Sequence, residues 1–184
     1  MSMSRLARSK FVFAAVAAVL LFRADAARAE PSREYAVKAA FIYNFAQFTQ
    51  WPADAFASPD SAFVIGVIGG DPFDGALEKA VAGKTIAGHP MVVKQVDNVA
   101  DVGACALVFV PASQEARVSE VLGAVGDKPI LTVGETDNFP WAGGVIRFVT
   151  EDNKVRFEIN SDAADKARLR ISSKLMKLAR IFKR

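Results

Sequence analysis

The 184-residue chain has one cysteine and one histidine, and these scarcities exclude several chemistries at once. With Cys105 alone no intrachain disulfide can form, even in a compartment that would oxidise one. A zinc site would need carboxylates for most of its ligands, and no His/Asp/Glu group has the spacing for it. His89, between Gly88 and Pro90, reads as a turn residue. No serine stands in a G-x-S-x-G elbow, and His89 has no acid partner in sequence, so no activated nucleophile is legible. Gly66, Gly69 and Gly70 do not match G-x-G-x-x-G, and Gly83-Lys84-Thr85 lacks the upstream glycine of a phosphate loop. Glu135, Asp137 and Glu158 fall near strand ends, but nothing in their spacing sets them apart as a glycosidase pair. No catalytic residue, cofactor or metal emerges, and the chain reads as a binding protein, not an enzyme. Internal repeats and low-complexity linkers are absent as well.

Charge is informative only once the leader is set aside. The whole chain carries a formal +3, but Arg5, Arg8 and Lys10 precede an unbroken apolar run from Phe11 to Phe22. Small residues follow at Ala24-Asp25-Ala26 and Ala27-Arg28-Ala29. A positive start, a short apolar middle and an A-x-A exit make a secretory signal peptide, and the run is too short for a permanent bilayer span. The expected cut follows Ala29, with Ala26 as the alternative, leaving residues 30–184 as a single domain. That remainder has 18 basic against 19 acidic residues, a net charge of −1, which removes any bulk argument for nucleic acid. No cysteine near the cut offers a lipid anchor. The expected location is outside the cytoplasm.

What is present is the pattern of an α/β layer. Phe63 to Gly69 carries no polar side chain and ends in Gly70-Asp71-Pro72-Phe73-Asp74-Gly75, as a strand buried on both faces should. Asp71 and Pro72 suit the start of a helix to about Ala82. Before this strand, a helix opens at Pro31-Ser32-Arg33-Glu34 and ends at Trp51-Pro52. Its apolar arc is wide: Ala36, Ala39, Ala40, Tyr43 and Ala46 make one stripe, and Phe41, Phe45 and Phe48 another. Such a helix either fills a groove between sheet and neighbouring helix or leaves part of its arc for a partner.

Further strands are expected at Met91–Val96, Ala104–Val110 and Pro129–Val133, with a glycine-punctuated link over 83–90, a short helical turn over 98–103 and a helix from Ser113 to Val125. Cys105 lies in the third apolar run and reads as a small core hydrophobe. Gly144–Val149 and Lys154–Ile159, joined by four residues, form a hairpin, because that link is too short for a crossover. The expected fold is α/β: a mostly parallel sheet with an antiparallel C-terminal hairpin at its edge and helices on both faces. The last segment reads as one amphipathic helix from about Asp162 to the end, with Ile171, Leu175, Leu178 and Phe182 on its stripe and a strongly basic remainder. That helix suits packing on the sheet, and its basic face also suits an anionic lipid surface. The aromatic arc (Phe41, Phe45, Trp51) and the hairpin's outer strand (Phe157, Glu158, Asn160) are the candidate partner-binding surfaces.

Several stretches, in this order and spacing, resemble the YfiR-like family. They are Lys38 to Phe45, Phe48-Thr49-Gln50-Trp51-Pro52, Ile65 to Phe73, Cys105 to Val110, Ile130 to Val133, Gly143 to Ile146, Val155 to Asn160, and Ser172 to Leu175. The resemblance implies a periplasmic regulator that holds a membrane-bound diguanylate cyclase inactive, controlling cyclic di-GMP and biofilm formation without touching nucleotide itself. It implies a homodimer, and release by an outer-membrane-associated sequestering protein. Relatives also serve as sensor portions of larger proteins, so another inner-membrane sensor protein is an alternative partner. A small-molecule receptor feeding a transporter or kinase is the second reading, with a pocket expected at the carboxyl ends of the parallel strands. The resemblance also points to Leu169-Arg170-Ile171-Ser172 as a ligand stretch for small anionic or aromatic molecules. Arg170 keeps a guanidinium for anion contacts. Ser172 stands where the best-known member of the family has a histidine, and of that member's redox cysteines only the Cys105 position is kept.

Overall fold

The chain was analysed as a computed structural model, which describes residues 33–183; the signal peptide read over residues 1–29 lies outside the described residues. Helix α1 (Arg33–Gln47) leads into a two-residue strand β1 (Thr49–Gln50) and then β2 (Phe63–Ile68). Helix α2 (Ala76–Val81), β3 (Thr85–Ile86) and β4 (His89–Val96) follow, then β5 (Leu107–Val110), α3 (Val118–Val125) and β6 (Leu131–Gly134). The C-terminal third holds β7 (Ile146–Glu151), β8 (Lys154–Ile159), α4 (Ser161–Lys166), β9 (Arg170–Ile171), α5 (Ser173–Met176) and β10 (Arg180–Ile181).

Eight strands form one sheet in the order β10-β8-β7-β6-β5-β2-β4-β3. The pairs from β4 through β7 are parallel, while β7 and β8 run antiparallel. The fold class expected from the sequence is therefore the one observed. The all-apolar run at β2 occupies the middle of the sheet, and five of its six residues are buried. Its alternate residues feed two cores. Phe63, Ile65 and Val67 join Leu107, Phe109, Leu131 and Ile146 under α1 and α2. Ile68 joins Val108, Val110 and the α3 residues Val118, Val121 and Val125 on the other face. Burial at about 25 cal/mol per Å² of apolar surface makes these two layers the main stabilising term.

Both tight hairpins are explained by backbone sign. Asp152 and Asn153 take φ of 50° and 57° between β7 and β8, and Ala87 and Gly88 take 52° and 91° between β3 and β4. Two successive positive φ values give the turn whose twist matches that of the flanking strands.

The differences from the sequence reading have local causes. Asp71 does not cap α2. Its carboxylate accepts from the N–H groups of Phe73 and Gly75 at 2.8 and 3.0 Å, closing a turn that delays the helix to Ala76. The segment before α3 is a 3₁₀ turn over Ala112–Arg117, interrupted by a non-helical Gln114. Helix α1 stops at Gln47, short of Trp51-Pro52, because Thr49 and Gln50 pair with Ile171 and Arg170.

The largest correction concerns the C-terminus, where there is no single amphipathic helix. Arg168 adopts φ 57°, which a right-handed helix cannot accommodate, and α4 ends at Lys166. Leu169 is then buried, Arg170 exposed and Ile171 half-buried as β9. The last strand, β10, pairs in parallel with β8. The hairpin's outer strand is therefore not the sheet edge it was expected to be: β10 covers it.

Candidate functional site

The carboxyl ends of the parallel strands are the natural place for a ligand in this topology. The sheet order reverses between β2 and β5, and a crevice should open beyond their ends. In this chain its own side chains occupy that position. Glu135, just past β6, accepts from the Lys38 ammonium at 2.6 Å, from the Tyr35 hydroxyl at 3.1 Å and from the Ala112 N–H at 2.8 Å. Burial beside this carboxylate pushes the Tyr35 phenol well above its ordinary value. Lys38 also pairs with Glu34, whose carboxyl is held below the usual range by that bond. Gln114 lies over Gly69, where a Cβ would come within 2.6 Å of its amide nitrogen. Helix α1 is thus bolted across the switch point by a buried polar network, and the pocket expected there is filled.

Clefts lie elsewhere. One of about 450 Å³ is lined by Gln50, Trp51, Pro52, Arg168, Leu169 and Arg170, among others. Here β1 and β9 bring together two residues that were assigned to different roles, Trp51 and Arg170. The Trp51 indole N–H donates to the Ala106 carbonyl at 3.3 Å and its ring meets Phe63 edge-on at 4.9 Å, so it forms a fixed wall. Arg168, which sequence reasoning missed, donates to Asp54 at 2.8 and 3.0 Å and holds that carboxyl below its ordinary value. Arg170 makes no ion pair among the described residues. Ser172 does not line this cleft: its hydroxyl accepts from the Lys174 N–H at 3.1 Å and caps α5.

A neighbouring cleft of about 540 Å³ shares Gln50, Trp51 and Pro52 and adds Phe56 and His89. His89 is buried in β4, not in a turn. Its ring stacks on Phe56 at 3.9 Å, and its Nδ1 lies 2.7 Å from the Ser61 carbonyl. That bond ties the irregular segment after Pro52 to the sheet. A third cleft, of about 650 Å³, lies between α3, α4 and the loop at 140–145, with Trp141 and Phe182 among its lining residues.

The candidate partner residues divide sharply. Phe45 has no exposed surface and sits 4.9 Å from Phe157 and 5.4 Å from Phe148. Phe41 is half-buried against the same two rings. The aromatic arc therefore packs on the sheet. Glu158 is buried between Arg147, at 3.0 Å, and Arg180, at 3.3 Å. Asn160 accepts from the Ala163 N–H and donates to the Pro140 carbonyl, which fixes the start of α4. Of the six, Phe45, Phe157, Glu158 and Asn160 are buried, and Phe41 and Trp51 keep partial exposure. Cys105 is buried, and burial raises its thiol to about 11. Among the described residues no His/Cys/Asp/Glu cluster could hold a metal ion, and no helix is long and apolar enough to cross a membrane.

Two solved structures are similar to part of this chain. One is a conserved domain protein of Vibrio cholerae O1 biovar El Tor, 14% identical, with a TM-score of 0.46. It aligns over 66% of this chain and 55% of its own. The other is an ABC domain from a pneumococcal Streptococcus in complex with L-Trp, 15% identical, with a TM-score of 0.43 over 65% of this chain and 55% of its own. This chain thus spans little more than half the length of either. No curated protein matches the sequence. A family profile described as YfiR/HmsC-like matches residues 35–180, from the first turn of α1 to β10.

Proposed function

Since the chain belongs to the YfiR/HmsC-like family, we propose that it is a periplasmic regulatory protein that represses a membrane-bound diguanylate cyclase by direct contact. The observation that carries this reading is the profile match, which runs from the first turn of α1 to β10. The leader over residues 1–29 supports export, with the folded domain following it. The acids that a hydrolase would use are engaged structurally: Glu135 by Lys38, and Glu158 by two arginines. A group held in that way is poorly placed to exchange protons with a substrate. Influence through contact, with homodimerisation and a second, sequestering partner at the outer membrane, fits this chemistry better than turnover.

Deleting the gene should raise cellular cyclic di-GMP and biofilm mass, and expression of the exported chain should restore both. Unchanged cyclic di-GMP in the deletion strain contradicts the reading.

One observation favours a small-molecule input to the same protein. Arg170 and Trp51 face one cleft, offering an anion contact beside an aromatic wall. A small aromatic acid should raise the melting temperature of the purified domain. Arg170→Ala should remove that shift while leaving the ligand-free melting temperature within about a degree, as expected for an exposed residue.

A further inference from the structure

Charge in this domain is divided by position. Residues 30–165 hold ten basic and nineteen acidic side chains, whereas residues 166–184 hold eight basic and no acidic ones. A nearly neutral domain therefore carries a strongly cationic end. The fold gathers this end at the sheet's outer margin, through α5 and the edge strand β10.

Not all of this charge is used internally. Arg168 pairs with Asp54, and Arg180 pairs with Glu151 and Glu158. Lys166, Arg170, Lys174, Lys177 and Lys183 make no ion pair among the described residues, and all five are exposed. The acids nearest in sequence, Asp162 and Asp165 on α4, precede the segment and pair with none of them.

Apolar groups stand out in the same region. Leu178, in the turn between α5 and β10, is 72% exposed, the most of any large hydrophobic residue described. Ile181 on β10 is 39% exposed. Trp141, 52% exposed, meets the Phe182 ring edge-on at 4.9 Å in the cleft that Lys166 also lines. One exposed aliphatic tip and one amphipathic indole, together with the exposed lysines of the C-terminal segment, match the chemistry of a lipid interface. Tryptophan settles at headgroup level, lysine stems lie along acyl chains with their ammonium in the phosphate layer, and two weak signals together hold what neither holds alone. A second copy of this chain would bring like charges together, which argues against self-association here.

We propose that the C-terminal margin, centred on Lys174, Lys177, Leu178 and Trp141, docks on the surface of an anionic phospholipid bilayer. This goes beyond the regulatory reading and does not depend on it, since it concerns the domain and lipid alone. Docking would hold the protein against the membrane with its opposite sheet edge, β3, turned away.

The test is co-sedimentation of the compact unit formed by residues 31–184 with vesicles. Phosphatidylcholine containing phosphatidylglycerol is compared with phosphatidylcholine alone, at low and high salt. Binding should be at least about tenfold tighter to the anionic vesicles and should fade at high salt. The double substitution Lys174→Glu/Lys177→Glu should abolish that preference, and Leu178→Ser should weaken binding several-fold at unchanged charge. All three positions are exposed, so melting temperatures should match the parent and separate loss of docking from loss of fold. Equal binding to both vesicles, no binding, or retention of anionic binding by the double variant would overturn the proposal. So would tighter capture by polyglutamate than by the anionic vesicles, which would assign the surface to an acidic protein segment. Anionic binding indifferent to Leu178→Ser would overturn the docked geometry in favour of diffuse attraction.

Discussion

Lys38 on α1 and Glu135 beyond β6 lie 97 residues apart in sequence, yet their side chains meet at 2.6 Å with each only 6% exposed. The pair fastens the first helix to the carboxyl end of the sheet. Removing one member strands the other charge in a dry site, a change that typically costs about 3–5 kcal/mol. Lys38→Met should therefore lower stability by roughly that amount in a urea melt. Lys38→Met/Glu135→Leu should recover part of the loss. A single variant as stable as the parent would show that the pair contributes nothing.

Phe45 separates a packed helix from an exposed one. It is fully buried between Phe148 and Phe157, and truncation of such a ring costs about 3–5 kcal/mol. Phe45→Ala should lose stability on that scale, and partner binding should fall only in proportion to unfolding. Retention of the parent's melting temperature would return the aromatic arc to the surface.

Alkaline pH should weaken the fold in a defined window. Cys105 and Tyr35 are both held neutral in the folded chain, with values raised by burial. The stability from a raised group is complete below its unfolded value and is lost as pH climbs towards its folded one. For Cys105 that window runs from 9.0 to about 11, and for Tyr35 it opens at 10.0. The melting temperature should be flat near neutrality and fall above pH 9. Cys105→Ala should make the first part of that fall shallower, by up to about 2–3 kcal/mol across the window. The buried thiol should also react with alkylating reagents only as fast as the domain opens.

Phe139 sets a steric prediction. Its ring is fully buried against both Gly134 and Gly144, where an added Cβ would overlap the ring. Gly144→Ala should destabilise by about 1–3 kcal/mol through overpacking. Gly123→Ala on α3, where nothing lies within 4 Å, should be neutral or slightly stabilising.

The sheet was legible because its strands carry their own signal. β2 and β5 are continuous apolar runs, and β8 alternates Val155, Phe157 and Ile159 with Lys154, Arg156 and Glu158. The C-terminus misled for a physical reason. Ile171, Leu175, Leu178 and Phe182 recur at helical spacing, yet they fall in β9, in α5, in a turn and just past β10, and Leu178 faces water. The reversal at Arg168 depends on a residue other than glycine adopting a positive φ, which sequence does not announce. Only the apolar–charged–apolar alternation of Leu169, Arg170 and Ile171 hints at a strand. His89 was misjudged likewise: its glycine and proline neighbours read as turn, while its stacking on Phe56 comes from chain packing 33 residues apart.

The candidate site was legible only in part. Trp51 and Arg170 were each noticed, but the β1–β9 ladder that joins them comprises two residues per strand and leaves no periodicity to detect. Glu158 drew attention as a carboxylate on an expected open edge. The edge is covered by β10, and the acid is spent on Arg147 and Arg180. Asp137, 103% exposed on its side chain, shares Arg147 but should matter far less, so Glu158→Ala should destabilise several times more than Asp137→Ala.

The central claim is that this domain silences a membrane enzyme by touching it. The most direct measurement is cyclic di-GMP synthesis from GTP by inner-membrane vesicles of the deletion strain, with purified domain supplied to the periplasmic side. Synthesis should fall several-fold in a saturable way, and unfolded domain should have no effect. Synthesis unchanged at saturating domain would contradict the account.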